Sequence, residues 1–417
     1  MTARWQWVLA QIGRRLWFRA SLFSLLGVVS ALLALAFKDY VPESLANSVG
    51  ADAVDKILNI IATSMLTVTT FSLSIMVAAY SSATSTVTPR ATPLVMEDNI
   101  TQNALGTFIG SFLFSVVGII ALSTGAYGNK GRVLMFVVTI AVIALIVLAL
   151  LRWIDHLAQL GRVGETSDRV EHATCEALRD RLRLPNLGGN RLVSREAIPA
   201  NARAIHPHYI GYVQHIDMPA LAELSASPDS AIYLLAMPGS FITPGEPLAA
   251  VLGIDPAEDD RLRAAFSVGK CRSFEQDPRF GAAVLAEIAS RALSPAVNDP
   301  GTAIDILGRG VRVLALWTQV DGETPDGLDC SRIHAPDLLL SDLFDDLFTP
   351  IARDGAALIE VGIRLQKDLL NLALLDPRYR ADARRHSSLA LKRAEAVLTL
   401  EEDKQRLREL SAEVLAL

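Results

Sequence analysis

The sequence predicts an α-helical membrane domain of four transmembrane helices, followed by a cytoplasmic α+β region with a small β-sandwich or barrel and a helical C-terminal bundle. Three observations lead there. Long runs without ionisable groups crowd the chain before Trp153, and amphipathic, charged sequence takes over after Leu151. Short β-like runs then appear between Arg191 and about Gly269, and give way to helix from Asp277. Hydrophobic residues make up 51% and charged residues 20% of the 417 positions. With a mean hydropathy of +0.33, an ordinary soluble enzyme fits the chain poorly.

A bilayer core requires about 20 consecutive apolar residues per helix, and four runs meet that length, at about 19–37, 57–80, 104–124 and 133–151. The first, "ASLFSLLGVVSALLALAF", follows Arg4, Arg14, Arg15 and Arg19, as a secretory leader would. It is too long for one, and "FKDYVPES" after it offers no small-residue cleavage site, so it reads as a retained span. Arginines before the first span, and Arg152, Arg162 and Arg169 after the fourth, predict a multi-pass membrane protein with both termini cytoplasmic. The turn "GAYGNKGR", with Lys130 and Arg132, runs against that orientation. Cys175, Cys271 and Cys330 stand apart in no metal-type spacing, as reduced thiols would.

The second span, in the stretch "IATSMLTVTTFSLSIMVAAYSSATSTVTPR" from Ile61, carries hydroxyls throughout. Thr63, Thr67, Thr70, Ser74 and Ser81 step by four, three, four and seven, which puts them within about 40° of one line down a helix. Ser64, Thr69 and Ser72 lie off that line and are expected to bond back to a carbonyl one turn earlier. Two readings fit the line: close packing and hydrogen bonding between helices, or the lining of a pore or cavity. Past Arg19 at the edge of the first, none of the four runs contains Asp, Glu, Lys, Arg or His. Proton-coupled carriers and pumps place such groups at mid-membrane, so channel and plain anchor remain as the leading classes.

After the second span, Pro89 and Pro93 interrupt the helix, and Arg90 with Glu97 and Asp98 forms a candidate cytoplasmic mouth or, more simply, an interfacial turn. Residues 152–188 read as a helical extension of the fourth span into the cytoplasm, with His156 and His172 as surface or core histidines. Residues 190–270 read as the small β domain. Within it, "MPGSFITPGEPLAAV" is similar in its turn signals to biotin- and lipoyl-carrier domains but lacks their modified lysine. His206, His208 and His215 are close in sequence, with no carboxylate or cysteine in register to make a metal site.

Residues 271–417 read as a helical cytoplasmic domain. "RFGAAVLAEIASRAL" is a helix, "SPAVNDP" breaks it, and Asp299 with Pro300 starts the next as cap and first residue. Asn298 and Asp299 are candidates for a subunit or ligand contact in that loop. The run "RSFEQDPRFGAAVLAEIASRALSPAVNDPGTAIDIL", with "TPR" after the second span, resembles a family of bacterial predicted membrane proteins that carries only a domain-of-unknown-function label. That resemblance implies several N-terminal spans with a C-terminal soluble region in bacterial inner membranes. It implies no substrate and no functional residues.

No histidine stands near Ser294, Asn298, Asp299 and Thr302, and the chain lacks G-x-x-x-x-G-K-[ST], G-x-G-x-x-G and H-E-x-x-H. No catalytic residue, cofactor or metal is therefore expected. The tail from about Asp354 reads as two helices broken near "DPRYR", the last with a short seam of Leu407, Leu410, Val414 and Leu417 suited to a local bundle or a subunit contact. Expected partners are the lipid bilayer, further copies of the chain in a homo-oligomer, and ions or small solutes. A net charge of −6 argues against nucleic acid. The favoured expectation is a channel-like homo-oligomer gated or assembled by its cytoplasmic part, loosely analogous to small-conductance mechanosensitive channels. The alternative is a membrane-anchored ligand-binding or scaffold module without transport.

Overall fold

The computed structural model describes residues 18, 21–25, 28–29, 51–82, 84, 87–96, 98–124, 128–157, 161–319 and 330–417. They fall into two units, one from residues 8–85 and 92–165 and the other from 86–91 and 166–417.

The first unit contains α1 (Ala51–Ser82), the short α2 (Thr92–Met96), α3 (Asn99–Ser123) and α4 (Gly128–Leu157). Three helical segments here are long and apolar enough to cross a membrane: Ala53–Ser82, Asn99–Ser123 and Arg132–Leu157. The span expected at 19–37 lies largely outside the described residues. Half of the apolar window of α3 is buried, against 22% for each of the other two, so α3 is the inner helix of the unit. Its glycines explain how neighbours come so close. A Cβ at Gly106 would lie 2.7 Å from the Phe23 ring and one at Gly110 2.7 Å from the Phe23 carbonyl, the small-residue contact typical of membrane helices. Asp98 starts α3 by accepting from the Thr101 amide at 2.8 Å.

The fourth span does not run on unbroken. α4 ends at Leu157, Gly161 takes a left-handed φ of +81°, and a separate helix, α5 (Val163–Arg183), begins afterwards.

In the second unit the strands are short: β1 (Asn190–Arg191), β2 (Arg203–Ile205), β3 (Gly211–Ile216), β4 (Ala231–Leu234), β5 (Phe241–Ile242), β6 (Ala249–Leu252), β7 (Phe266–Gly269) and β8 (Ile333–Ala335). They form a five-stranded sheet of order β1-β8-β4-β6-β2 and a three-stranded sheet of order β5-β3-β7. Alternate residues of β4, Ile232 and Leu234, join Val213, Ile216, Val251 and Ile333 in one apolar core. The β region is not confined to 190–270. β8 comes from residues 333–335 and inserts parallel between β1 and β4.

The helices of this unit include α6 (Met218–Leu224), α7 (Asp259–Ala264), α8 (Pro278–Ala292), α9 (Pro300–Ala315), α10 (Leu340–Asp354), α11 (Ile359–Leu375), α12 (Arg380–Val397) and α13 (Glu401–Ala416). α8 and α9 start alike, with Asp277 or Asp299 as cap and proline at the first turn. From Asp354 there are three tail helices, not two. Leu407 and Val414 of the expected seam are buried within the subunit, Leu407 against Gly362 of α11. Beside them Ser387 bonds to Gln366 at 2.6 Å and to Ser411 at 2.8 Å.

Candidate functional site

The hydroxyl line of α1 stands on the surface of its own subunit: Thr63, Thr67, Thr70, Ser74 and Ser81 are all exposed. The face diametrically opposite, with Val54, Leu58, Ile61, Met65, Met76 and Ala79, is the buried one. Exposed apolar side chains flank the line, Ile60 and Phe71 on one side and Leu66, Leu73 and Val77 on the other. Four of the hydroxyls bond back one turn. Thr63 donates to the Asn59 carbonyl at 2.9 Å, Thr67 to Thr63 at 3.0 Å, Thr70 to Leu66 at 2.9 Å and Ser74 to Thr70 at 3.0 Å. Each keeps its oxygen lone pairs for a further donor.

Of the off-line hydroxyls, Ser64 and Thr69 bond back as expected, but Ser72 does not. It is 1% exposed and accepts from the Trp153 indole at 3.0 Å, tying α1 to α4. One turn further along α4, His156 Nε2 lies 2.8 Å from Asp98 Oδ2, both side chains 7% exposed. The Thr101 hydroxyl closes on the same carboxylate, and Gln102 donates to the Met96 carbonyl at 3.0 Å. A buried polar cluster thus caps the helix bundle where α3 begins and α4 ends. Sequence reading missed it because Asp98 and His156 are distant in the chain and only the packing of α3 on α4 brings them together.

The residues expected at a cytoplasmic mouth do not gather. Arg90 belongs to the second unit, where it pairs with Glu287 of α8, whose other oxygen accepts from Thr88 at 3.1 Å. That pairing raises the Arg90 pKa. Asp98 serves His156 and the α3 cap, and Glu97 lies outside the described residues. In the loop before α9, Asn298 takes a left-handed φ of 51°. The Asp299 carboxylate accepts from the Thr302 amide at 3.1 Å and its hydroxyl at 2.6 Å, which lowers its pKa. His206 bonds the Pro244 carbonyl, His215 is buried and His208 leans toward Asp260, so the three histidines diverge. Among the described residues no three His, Cys, Asp or Glu side chains are grouped for a metal.

Two buried arginines of the second unit differ sharply. Arg309 of α9 is met by Asp168, by Glu171 at 2.8 Å and by Asp305 at 2.6 Å. Burial works against its charge, but these carboxylates prevail and raise its pKa. Arg181 of α5 is 9% exposed, and its Nη1 has no hydrogen-bond partner. Burial pushes its pKa down to about 10, against the pull of Asp277 and Asp337. It lines a cavity of about 340 Å³.

Residues 13–371 match the family described as "Predicted membrane protein (DUF2254)". The chain belongs to this family. Curated relatives include the uncharacterized protein Mb1321c of Mycobacterium bovis and the uncharacterized protein Rv1290c of Mycobacterium tuberculosis. Each is 26% identical over 261 residues, covering 60% of this chain and 50% of the relative. The chain thus spans about half the length of the curated relatives it matches. No solved structure matches it. Membership in this membrane-protein family agrees with the three apolar helices and carries no substrate with it.

Proposed function

We propose that this DUF2254 member is a homo-oligomeric, channel-like protein of the bacterial inner membrane, passing ions or small solutes along the hydroxyl line of α1. The observation that carries this reading is the placement of that line opposite the buried face of its own helix, between two apolar shoulders. In a ring of copies, such a face turns Thr63, Thr67, Thr70 and Ser74 toward an axis while Ile60, Phe71, Leu66 and Leu73 meet neighbouring subunits. Hydroxyls already bonded to their own backbone bind a permeating solute weakly and select poorly, as conduction requires. The reading includes a fourth span at about 19–37, cytoplasmic termini following the arginine bias, a C-terminal unit that assembles or gates the membrane part, and no enzymatic activity.

Conductance of the full-length protein in planar bilayers tests it. Thr67→Leu with Thr70→Leu is expected to reduce unitary conductance by about tenfold, since a dry constriction gates by excluding water. Thr67→Asp with Thr70→Asp is expected to favour cations. Silence of the parent protein under all voltages and tensions, with its oligomer intact, would overturn the transport reading.

A second reading, a membrane-anchored ligand-binding module without transport, draws its support from the cavity beside Arg181. Binding of a ligand there without any conductance is the outcome that favours it.

A further inference from the structure

The cavity lined by Arg181 holds a hydrogen-bond donor that the fold itself does not answer. Every other ionised group on its wall has a partner. Asp277 takes a bidentate pair from Arg272 at 2.7 and 2.9 Å, and Asp337 takes Asn186 at 3.0 Å and Arg191 at 2.6 Å. Asp342 and Asp346 share Arg279. Only the buried Nη1 of Arg181 faces no acceptor, and a guanidinium with a pKa near 10 remains charged at neutral pH. Asp277 and Asp337 attract the guanidinium, but neither takes a hydrogen bond from Nη1; a buried donor left without an acceptor is costly, so its persistence marks a place where an acceptor arrives from outside.

The rest of the wall fits an acceptor with an apolar body. The Gln276 carbonyl oxygen is held by the Ile216 amide at 3.0 Å, which leaves its amide nitrogen free to donate. Ser240 accepts from the Met237 amide at 3.1 Å and keeps its own proton to give. Gly239, at φ +92°, is a glycine by necessity here, because a Cβ would collide with the Asp277 carboxylate. Met237, Leu338 and Leu339 supply the apolar side. The volume suits a small molecule. Asp277, Asp337 and Asp342 stand on the same wall, which disfavours polyanions such as nucleotides.

We infer that this cavity binds a small organic monocarboxylate, its carboxylate paired with the Arg181 guanidinium and its hydrocarbon part against Met237, Leu338 and Leu339. The site lies wholly within the second unit and is independent of whether α1 lines a pore.

The test uses the purified full-length protein in detergent at fixed ionic strength. Thermal unfolding is followed with acetate, butyrate, hexanoate, inorganic phosphate and ATP, each exchanged for chloride. The parent protein is expected to show a saturable rise in Tm with the monocarboxylates, the half-saturating concentration falling with chain length, and none with ATP. Arg181→Met keeps the aliphatic stem and removes the guanidinium, and is expected to weaken carboxylate binding by about thirtyfold or more. Gln276→Glu retains the contact with Ile216 and places a negative oxygen where an amine stood, so it is expected to weaken binding by about tenfold. It decides the matter if Arg181→Met does not fold. Absence of a carboxylate-dependent shift in the parent, or a shift unchanged in these variants, overturns the inference. An equal response to ATP or phosphate overturns the assignment to monocarboxylates.

Discussion

The two faces of α1 treat the same chemistry in opposite ways. On the inner face Ser72 is bonded across to Trp153, and nearby Asp98 meets His156, each group answered by a different helix. On the outer face Thr63, Thr67, Thr70 and Ser74 answer only their own backbone. The inner polar groups hold the bundle together, because each loses its partner if the helices separate. The outer ones, among the described residues, make no bond to another helix, and the proposed function supplies a reason for their alignment.

That contrast breaks most visibly at the inner cluster. Asp98→Ala removes the α3 cap and leaves buried His156 without its carboxylate, so a loss of about 2–4 kcal/mol is expected. Unfolding of the variant in detergent by SDS titration measures it, and a loss below about 1 kcal/mol would show that the inner cluster is as dispensable as the outer line. A comparable effect is expected outside the membrane at His386, which is 2% exposed between Phe344 and Phe348. Burial lowers its pKa from 6.5 to about 4. Its folded pKa is depressed, so the unfolded chain binds the proton first and stability falls as pH drops from 6.5 toward 4. The 1.36 kcal/mol per pH unit of linkage gives a loss of about 3 kcal/mol over that window. Hydrogen exchange of α12 in the full-length protein should accelerate on acidification in the parent and much less in His386→Leu.

Trp153→Phe is the next test in size. It deletes the indole donor and leaves the buried Ser72 oxygen unanswered, with an expected cost of about 1–2 kcal/mol in the same SDS titration. Smallest is the outer line. Thr63→Val or Thr70→Val should change subunit stability by less than about 0.5 kcal/mol. Equal costs for Trp153→Phe and Thr70→Val would erase the distinction between the faces.

The parts of this molecule that the sequence made legible are those set by neighbours in the chain. The second to fourth apolar runs, the Asp299 cap with Pro300 behind it, and the hydroxyl periodicity of α1 all depend on residues within a turn or two. The parts that were not legible depend on distant pairs. β8 is a three-residue strand whose place between β1 and β4 is fixed by tertiary contact, and nothing in "RIHAPD" sets it apart from loop. The Asp98 and His156 pair required the register of α3 on α4. Arg90 looked like a snorkelling interfacial arginine by its position, yet its partner Glu287 lies 197 residues away on α8. Arg181 sits in an amphipathic helix among other arginines, and only its buried environment sets it apart from Arg179 and Arg183.

The most direct test of the outer face is substituted-cysteine accessibility in native membranes, in a background where Cys175, Cys271 and Cys330 are replaced by serine. Single cysteines at Thr63, Thr67, Thr70 and Ser74 are compared with cysteines at Ile60, Leu66 and Phe71, using a membrane-impermeant cationic thiol reagent. Reaction along the hydroxyl line but not at its apolar shoulders is the predicted result. Silence at all seven positions, with full labelling by a lipid-soluble maleimide, would place the line in hydrocarbon and contradict the account.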